Sequence, residues 1–124
     1  MNLGINRLLA DLKLLGYNPE AIKDSTGFAY AHITSFAIPA GRFEGRVIDL
    51  AIPAPDDFGR MVGSSMHIRS EPVLMDYQNV PNIRNVIASN LGVDWRYWSF
   101  AFKFSPADPT QYLLAQIITI LKNV

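Results

Sequence analysis

Residues 92–106 read Gly-Val-Asp-Trp-Arg-Tyr-Trp-Ser-Phe-Ala-Phe-Lys-Phe-Ser-Pro, and this stretch contains both tryptophans of the chain. Taken with a period of two, one set of positions is mostly aromatic: Arg96, Trp98, Phe100, Phe102 and Phe104. This alternation predicts an extended segment with one aromatic face. Because each large ring buries about 150–250 Å², we expect this face to form the floor on which the helices before and after it pack.

The composition fits a single globular domain over residues 1–124. Of the 124 residues, 49% are hydrophobic and 18% are charged, which is enough for a sizeable core. The 11 basic and 11 acidic residues cancel and form no runs, so we expect no nucleic-acid partner and no anionic membrane surface. The chain has no signal-peptide pattern and no apolar run of about 18 residues. We therefore expect a soluble, cytoplasmic protein.

Cysteine is absent from the chain. Its absence excludes disulfides, thiolate metal ligands and any thioester mechanism. The only histidines are His32 and His67, and no local ligand spacing favours a metal site at either of them. We expect no metal and no cofactor.

A cluster of polar residues around His67 has the residue types of a hydrolase triad. The residues concerned are Asp56, Asp57, Ser64, Ser65 and His67. Triad members normally come from separate elements, and the chain has no Gly-x-Ser-x-Gly motif. Polar residues in a long loop are the ordinary interpretation, so no catalytic residue is predicted.

Helical periodicity predicts one helix at each end of the chain. Over residues 2–15, apolar residues recur every three or four positions, and Gly16 is placed to end the helix in a left-handed conformation. The second helix covers residues 110–122, after Asp108 as cap and Pro109 at the first helical position. Its apolar residues cover more than one stripe, so we expect it to be deeply buried or shared with a partner.

The midsection has the pattern of an antiparallel meander. Residues 28–38 alternate, and a turn at residues 39–45 leads to a second strand at residues 46–52. From residue 59 to residue 92 the pattern loosens, apart from a short third strand at residues 66–69. One side of the first strand is predicted to carry Phe28, Tyr30, His32, Thr34, Phe36 and Ile38. One side of the second strand is predicted to carry Ile48, Leu50 and Ile52.

Five short motifs accompany this order of elements. They are Pro39-Ala-Gly-Arg-Phe43, Ile52-Pro-Ala-Pro55, Val80-Pro-Asn-Ile83, Trp95-Arg-Tyr-Trp-Ser99 and Phe104-Ser-Pro-Ala107. Together they resemble the ubiquitin-conjugating (UBC) fold, and more closely the divergent bacterial relatives of the ubiquitin-conjugating enzymes. The resemblance covers essentially the whole chain. It implies an α+β, UBC-like fold, with an antiparallel β-meander flanked by an N-terminal helix and a C-terminal helix.

The chain departs from this family at the positions that carry the family's chemistry. The family's His-Pro-Asn tripeptide is similar to Val80-Pro-Asn82, and the position resembling its cysteine lies near Arg96 or Tyr97. Neither of these two side chains forms a thioester. The resemblance therefore implies a catalytically inactive, cysteine-less variant and not an enzyme. Its implied partner is a ubiquitin-like protein, or a conjugating or activating enzyme, in a bacterial ubiquitin-like pathway.

Two places in the sequence are candidates for contact with a protein partner. The first is Trp95, Arg96 and Tyr97, because these three residue types most often anchor protein interfaces. The second is the loop around Arg42 and Phe43, which glycines flank. The alternative function is a structural or scaffold subunit that forms a homo-oligomer, or docks through its C-terminal helix, with no ubiquitin-like partner. An enzyme of unknown chemistry is a third hypothesis.

Overall fold

The fold combines one antiparallel sheet with two helices. The computed structural model describes residues 3–75 and 86–124. The elements in chain order are α1 (Gly4–Leu14), β1 (Glu20–Lys23), β2 (Ala29–Ala37), β3 (Val47–Pro53), β4 (Ser65–Arg69), β5 (Val86–Ser89), β6 (Gly92–Ser99) and α2 (Pro109–Asn123). The predicted α+β class, with a helix at each end of an antiparallel meander, is confirmed.

The strands form a single six-stranded sheet in the order β1-β2-β3-β4-β6-β5. Every neighbouring pair is antiparallel. The first four strands follow chain order, and the hairpin of β5 and β6 extends the sheet through pairing of β6 with β4. Neither β1 nor β5 was predicted, since each has only four residues and a run that short shows little periodicity.

A bulge in β2 changes the face on which its second half lies. The pairing of β2 with β3 shifts register between Ile33 and Phe36, and Ser35 within the bulge has a φ of 60°. As a result Tyr30 contacts Trp95's cluster on one face of the sheet, whereas Phe36 joins the main core on the other. The prediction that residues 28–38 keep one set of side chains on one side is wrong, because the bulge reverses the alternation.

The main core lies between the helices and one face of the sheet. The alternation predicted for β3 is confirmed, since Ile48, Leu50 and Ile52 are at most 2% exposed. The other strands add Ala31, Ile33, Phe36, Met66, Ile68, Val86 and Trp98. The helices add Leu8, Leu12, Leu113, Leu114, Ile117, Ile120 and Leu121. Both helices therefore stabilise the sheet from the same side, through large apolar side chains.

The aromatic stretch around Trp98 is a strand only in its first half. The strand β6 ends at Ser99, and the aromatic residues beyond it have no regular structure. Trp98 is 1% exposed in the main core, while Phe100 and Phe102 only flank that core and Phe104 is 36% exposed. The prediction of one continuous aromatic floor is therefore wrong. The chain leaves the sheet after Ser99, and Phe100 lines a groove together with residues of α2.

The polar residues near α2 fasten the end of the aromatic stretch to this helix. Gln116 Oε1 accepts a hydrogen bond from the Lys103 amide at 2.8 Å, and Gln116 Nε2 donates to the Lys103 carbonyl at 2.9 Å.

The helix α2 begins at Pro109 as predicted, but Asp108 makes no side-chain capping bond. Its carboxylate instead accepts a hydrogen bond from Ser105 Oγ at 2.8 Å. The first helix ends as predicted, with Gly16 at a φ of 97°.

Candidate functional site

The face of the sheet opposite the helices carries its own packed side chains, and we call it the open face. Among the described residues, both helices contribute buried side chains to the main core and none to the small cluster of Tyr30, Ala51 and Trp95. Strand alternation brings polar residues beside this cluster. The open face comprises Tyr30, His32, Asp49, Ala51, Ser65, His67, Arg69, Trp95 and Tyr97.

Asp49 joins two basic side chains on the open face. Arg69 Nε donates to Asp49 Oδ2 at 2.9 Å, and His32 Nε2 lies 3.1 Å from Asp49 Oδ1. Burial acts to raise the pKa of Asp49, but the hydrogen bonds and charges of Arg69 and His32 outweigh burial and lower the pKa. The ionised carboxylate thus holds both partners beside Trp95, whose ring lies 5.4 Å from the His32 ring.

The predicted contact triplet occupies two faces of β6. Trp95 is 5% exposed between Arg69 and His32, so it offers little surface to a partner. Arg96 is half-buried and donates to the carbonyl oxygen of Trp95 at 3.0 Å. Tyr97 is also half-buried, on the same face as Trp95. That these three residues bind a protein stays a prediction, with Arg96 and Tyr97 the more accessible members.

His67 is the most enclosed polar side chain on the open face. It is 2% exposed and lies between the rings of Tyr30 and Tyr97, at centroid distances of 4.8 and 5.2 Å. Its Nδ1 lies 2.7 Å from Ser89 Oγ, and its Nε2 lies 3.3 Å from Ser65 Oγ. Burial lowers the pKa of His67 to about 4, so the ring is neutral near pH 7.

The row of Ser65, His67 and Ser89 has the connectivity of a nucleophile, a base and an orienting group. A serine in the third place does not stabilise an imidazolium as a carboxylate does. A base with a pKa of about 4 is also a weak proton acceptor near neutral pH. Within the described residues, Asp56 and Asp57 are exposed and make no hydrogen bond to His67. Burial thus favours the neutral His67 ring, whose two nitrogens lie within hydrogen-bond distance of Ser65 and Ser89.

Ser89 is a member of this row that the sequence did not suggest. It lies 22 residues beyond His67, in a strand that periodicity did not predict. In the sheet, β5 pairs with β6 and β6 pairs with β4, so Ile87 lies opposite Tyr97 and Tyr97 lies opposite His67. This strand order brings Ser89, at the end of β5, within reach of His67. No local motif marks this residue, because the contact depends on the order of strands in the sheet.

A cleft of about 410 Å³ opens beside His67. The described residues that line it include Phe28, Tyr30, Met61 and Tyr97, with Asp24 at one side.

Asp24 is held at this cleft by neutral donors. Its Oδ2 accepts a hydrogen bond from the Tyr30 hydroxyl at 2.8 Å, and its Oδ1 accepts from the Thr26 hydroxyl at 2.6 Å. The backbone amides of Thr26 and Phe28 also donate to Oδ1, at 2.8 and 3.1 Å. Burial acts to raise the pKa of Asp24, but these hydrogen bonds outweigh burial and lower the pKa to about 2. The cleft therefore keeps a negative charge throughout the physiological range.

The second predicted contact, Arg42 and Phe43, lies in the turn between β2 and β3. Arg42 is exposed, and its guanidinium carbon lies 4.9 Å from the centroid of the Phe43 ring. Phe43 packs in turn against the main core. Gly41 has a φ of 93°, and a Cβ at this position would overlap the backbone of Lys122 at the end of α2. The turn thus packs closely against the end of α2, and Arg42 lies at the surface beside the Phe43 ring.

An apolar groove of about 400 Å³ runs along α2. Its lining residues form one stripe of the helix together with a ring from the aromatic stretch. They are Phe100, Tyr112, Ala115, Gln116, Thr119, Ile120 and Asn123. Tyr112 remains 39% exposed. The final helix is thus deeply buried on one side, as predicted from its apolar residues, and accessible on the other.

Several sequence expectations concern features beyond these surfaces. Within residues 3–75 and 86–124, no group of three or more histidine, aspartate or glutamate side chains is placed to hold a metal ion. Neither described helix has the length and apolar character that crossing a bilayer requires. The motif Val80-Pro-Asn82 lies outside the described residues.

Comparison with protein-family models, with curated proteins and with solved structures finds no match to this chain.

Proposed function

We propose that the protein is a catalytically inactive, UBC-like binding module that holds a ubiquitin-like protein or an active conjugating subunit in a bacterial ubiquitin-like pathway. The turn that carries Arg42 and Phe43 is the observation on which binding rests. An exposed guanidinium stacked on an aromatic ring, on a turn braced by α2, is the type of preorganised anchor that dominates many protein interfaces. The class of partner rests on the resemblance of the sequence motifs to the UBC family.

The order of elements supports this proposal. A first helix, a meander that runs in chain order from β1 to β4, and a final helix at Pro109 agree with the implied arrangement. The positions that resemble the family's cysteine, Arg96 and Tyr97, lie within β6 between two neighbouring strands. A chain with no cysteine cannot carry an acyl group as a thioester, so the proposed role is to bind and orient.

An NMR titration of the labelled protein with ubiquitin-like proteins from the same genome tests the proposal. We expect saturable shifts in the amide signals of residues 41–45. Arg42→Ala is expected to weaken binding by about tenfold or more, which is the loss typical of an interface hot spot. Arg60→Ala is the matched control, because it removes another exposed arginine outside the turn.

Two results contradict the proposal. One is the absence of shifts with every candidate at high concentration. The other is equal weakening by Arg42→Ala and Arg60→Ala, which would assign the effect to net charge and not to the turn. Trp95→Ala is unsuitable as a binding probe, because Trp95 is 5% exposed and its removal disturbs the fold itself.

The groove along α2 favours the second candidate function, a scaffold subunit that forms a homo-oligomer through this helix. Tyr112 is 39% exposed beside Phe100 in the groove, and burying such apolar surface in a second copy of the chain is favourable. Sedimentation velocity over a range of protein concentrations measures this association. The scaffold function predicts a dimer that Tyr112→Asp dissociates, and a monomer at all concentrations rules it out.

A further inference from the structure

We infer that the cleft beside His67 is a binding site for an organic cation of the alkylammonium type, such as a lysine side chain. We call it the Asp24 cleft. The inference concerns a surface separate from the Arg42 turn and does not rest on the proposed function. The lining of the cleft includes Asp24, Phe28, Tyr30, Met61, His67 and Tyr97.

The charge in the cleft is negative and lacks a counterion. Asp24 is the only described lining residue with a formal charge near pH 7, and no described lining residue is lysine or arginine. The donors to its carboxylate are the hydroxyl groups of Thr26 and Tyr30 and two backbone amides, which are all neutral. Within the described parts of the chain, Asp24 takes part in no ion pair. A cation entering the cleft therefore meets an uncompensated carboxylate.

Aromatic rings continue from this carboxylate into the cleft. The centroids of Phe28 and Tyr30 lie 5.5 Å apart, and the His67 ring lies 4.8 Å from Tyr30 and 5.2 Å from Tyr97. Ring faces attract cations within about 6 Å. The Tyr30 hydroxyl donates to Asp24, which places the carboxylate at the end of this ring. Phe28, which is 40% exposed, is the ring of this set with most surface available to a cation, since Tyr30 is 5% exposed and His67 is 2% exposed.

The mouth of the cleft suits an alkyl stem. Phe28 is 40% exposed and Met61 is 43% exposed, so both have apolar surface available to a ligand. Long cationic side chains bury their methylene groups on such surface while the charged head makes polar contacts. The head is expected to lie near Asp24 and the stem against Phe28 and Met61.

Other classes of ligand fit the Asp24 cleft less well. An anion meets a carboxylate and no basic group among the described lining residues. A metal ion needs several oxygen or nitrogen ligands, whereas Asp24 is the only carboxylate among the described lining residues. A purely apolar ligand leaves the charge of the Asp24 carboxylate without a counterion.

The test is an NMR titration with Nα-acetyl-lysine N-methylamide and with its Nε-acetylated derivative. The two probes share the same stem, but only the first has a charged head. We expect saturable shifts for the amides of residues 24–30 and for Tyr97, with the charged probe binding about fivefold or more tightly than the neutral one. Equal affinity for both probes, or no shifts with the charged probe, overturns the inference.

Two variants and a control locate the effect. Asp24→Asn is expected to abolish the preference for the charged probe, whereas Asp57→Asn, an equal change of charge at an exposed site outside the cleft, is expected to keep it. Because Asp24 also organises its turn, Phe28→Leu provides a second variant at a 40% exposed side chain. Phe28→Leu is expected to weaken binding of the charged probe about threefold. An unchanged preference in both Asp24→Asn and Phe28→Leu overturns the site.

A third probe identifies the source of the cation. Butylammonium chloride has the charge and the stem but no peptide group. If it binds as tightly as the lysine derivative, the cleft recognises a free amine, and if it binds severalfold more weakly, the cleft recognises a lysine within a polypeptide. Both results support a cation site, while failure of both charged probes to bind contradicts it.

Discussion

The guanidinium of Arg69 lies over the ring of Trp95, with its central carbon 4.8 Å from the ring centroid. The Nε of Arg69 also donates to Asp49. One side chain of β4 therefore joins β6 to β3 across the open face. Among the described residues, neither helix contributes a buried side chain to this face, yet Trp95 is buried there. It is buried because the Arg69 guanidinium and the His32 ring cover it.

Replacing Trp95 by alanine is expected to lower the free energy of unfolding by about 3–5 kcal/mol, the usual cost of removing a buried aromatic side chain. Val93, two residues earlier in β6, is 90% exposed. Val93→Ala is therefore expected to change that free energy by no more than about 0.5 kcal/mol. Urea denaturation followed by circular dichroism measures both values. Similar losses in the two variants would show that Trp95 does not stabilise the open face.

The stability of the protein is expected to fall as the pH decreases from about 6.5 to about 4. Burial lowers the pKa of His67 from 6.5 to about 4, so in this window the unfolded chain binds a proton that the folded protein does not. The difference amounts to about 3 kcal/mol at about 1.4 kcal/mol for each pH unit. Urea denaturation across this range gives the slope, and the ¹³C signals of His67 give its midpoint.

His67→Asn is expected to remove this part of the slope, whatever its effect on stability at pH 7. His32→Asn leaves His67 in place and is expected to keep it. A His67 midpoint near 6.5 would contradict the pH prediction, because the folded and unfolded states would then bind protons alike in this window.

Two glycines of the turn between β2 and β3 provide a matched pair. Both have positive φ, 93° at Gly41 and 84° at Gly45, so alanine is strained at either position. A Cβ at Gly41 also overlaps the backbone of Lys122, whereas a Cβ at Gly45 meets no atom within 4 Å. Gly45→Ala is expected to cost about 1 kcal/mol and Gly41→Ala about 1–3 kcal/mol more. Thermal unfolding monitored by circular dichroism compares them, and equal costs would mean that the turn does not rest on α2.

At Ser35 in the β2 bulge, replacement by glycine is expected not to lower the stability of the protein, which is unusual within a strand. Ser35 has a φ of 60° and is exposed. Ser35→Gly is expected to leave stability unchanged or to raise it by up to about 1 kcal/mol, whereas Ser35→Val is expected to lower it by about 1–2 kcal/mol. Thr34→Gly, at the neighbouring position, is expected to destabilise the strand. Urea denaturation of the three variants checks this order, and loss of stability in Ser35→Gly contradicts it.

Long periodic elements were predictable from the sequence because their signal is local. The two helices and β3 each show several repeats of their pattern, and Gly16 and Pro109 mark helix ends by their own backbone preferences. The short strands β1 and β5 lack such repeats. Their assignment depends on pairing with β2 and β6, which composition does not reveal.

The candidate sites divide in the same way. Arg42 and Phe43 were identified from residue types between glycines, and the structure places Arg42 at the surface. Trp95 was chosen by the same reasoning, yet it is enclosed. Arg69 and Trp95 are both visible in the sequence. Only the pairing of β4 with β6 brings the Arg69 guanidinium over the Trp95 ring and encloses it.

By itself the sequence determined the α+β class, the helices at both ends, the burial of β3 and, through the lack of cysteine, the absence of thioester chemistry. Each of these depends on residue type or on near neighbours along the chain. Only the tertiary structure decided the reversal of faces after Ser35, the approach of Ser89 to His67 and the meeting of Asp24 with the aromatic rings of the cleft. A bulge and a strand order are set by the packing of the whole sheet, because one inserted residue or one exchanged neighbour moves every side chain beyond it.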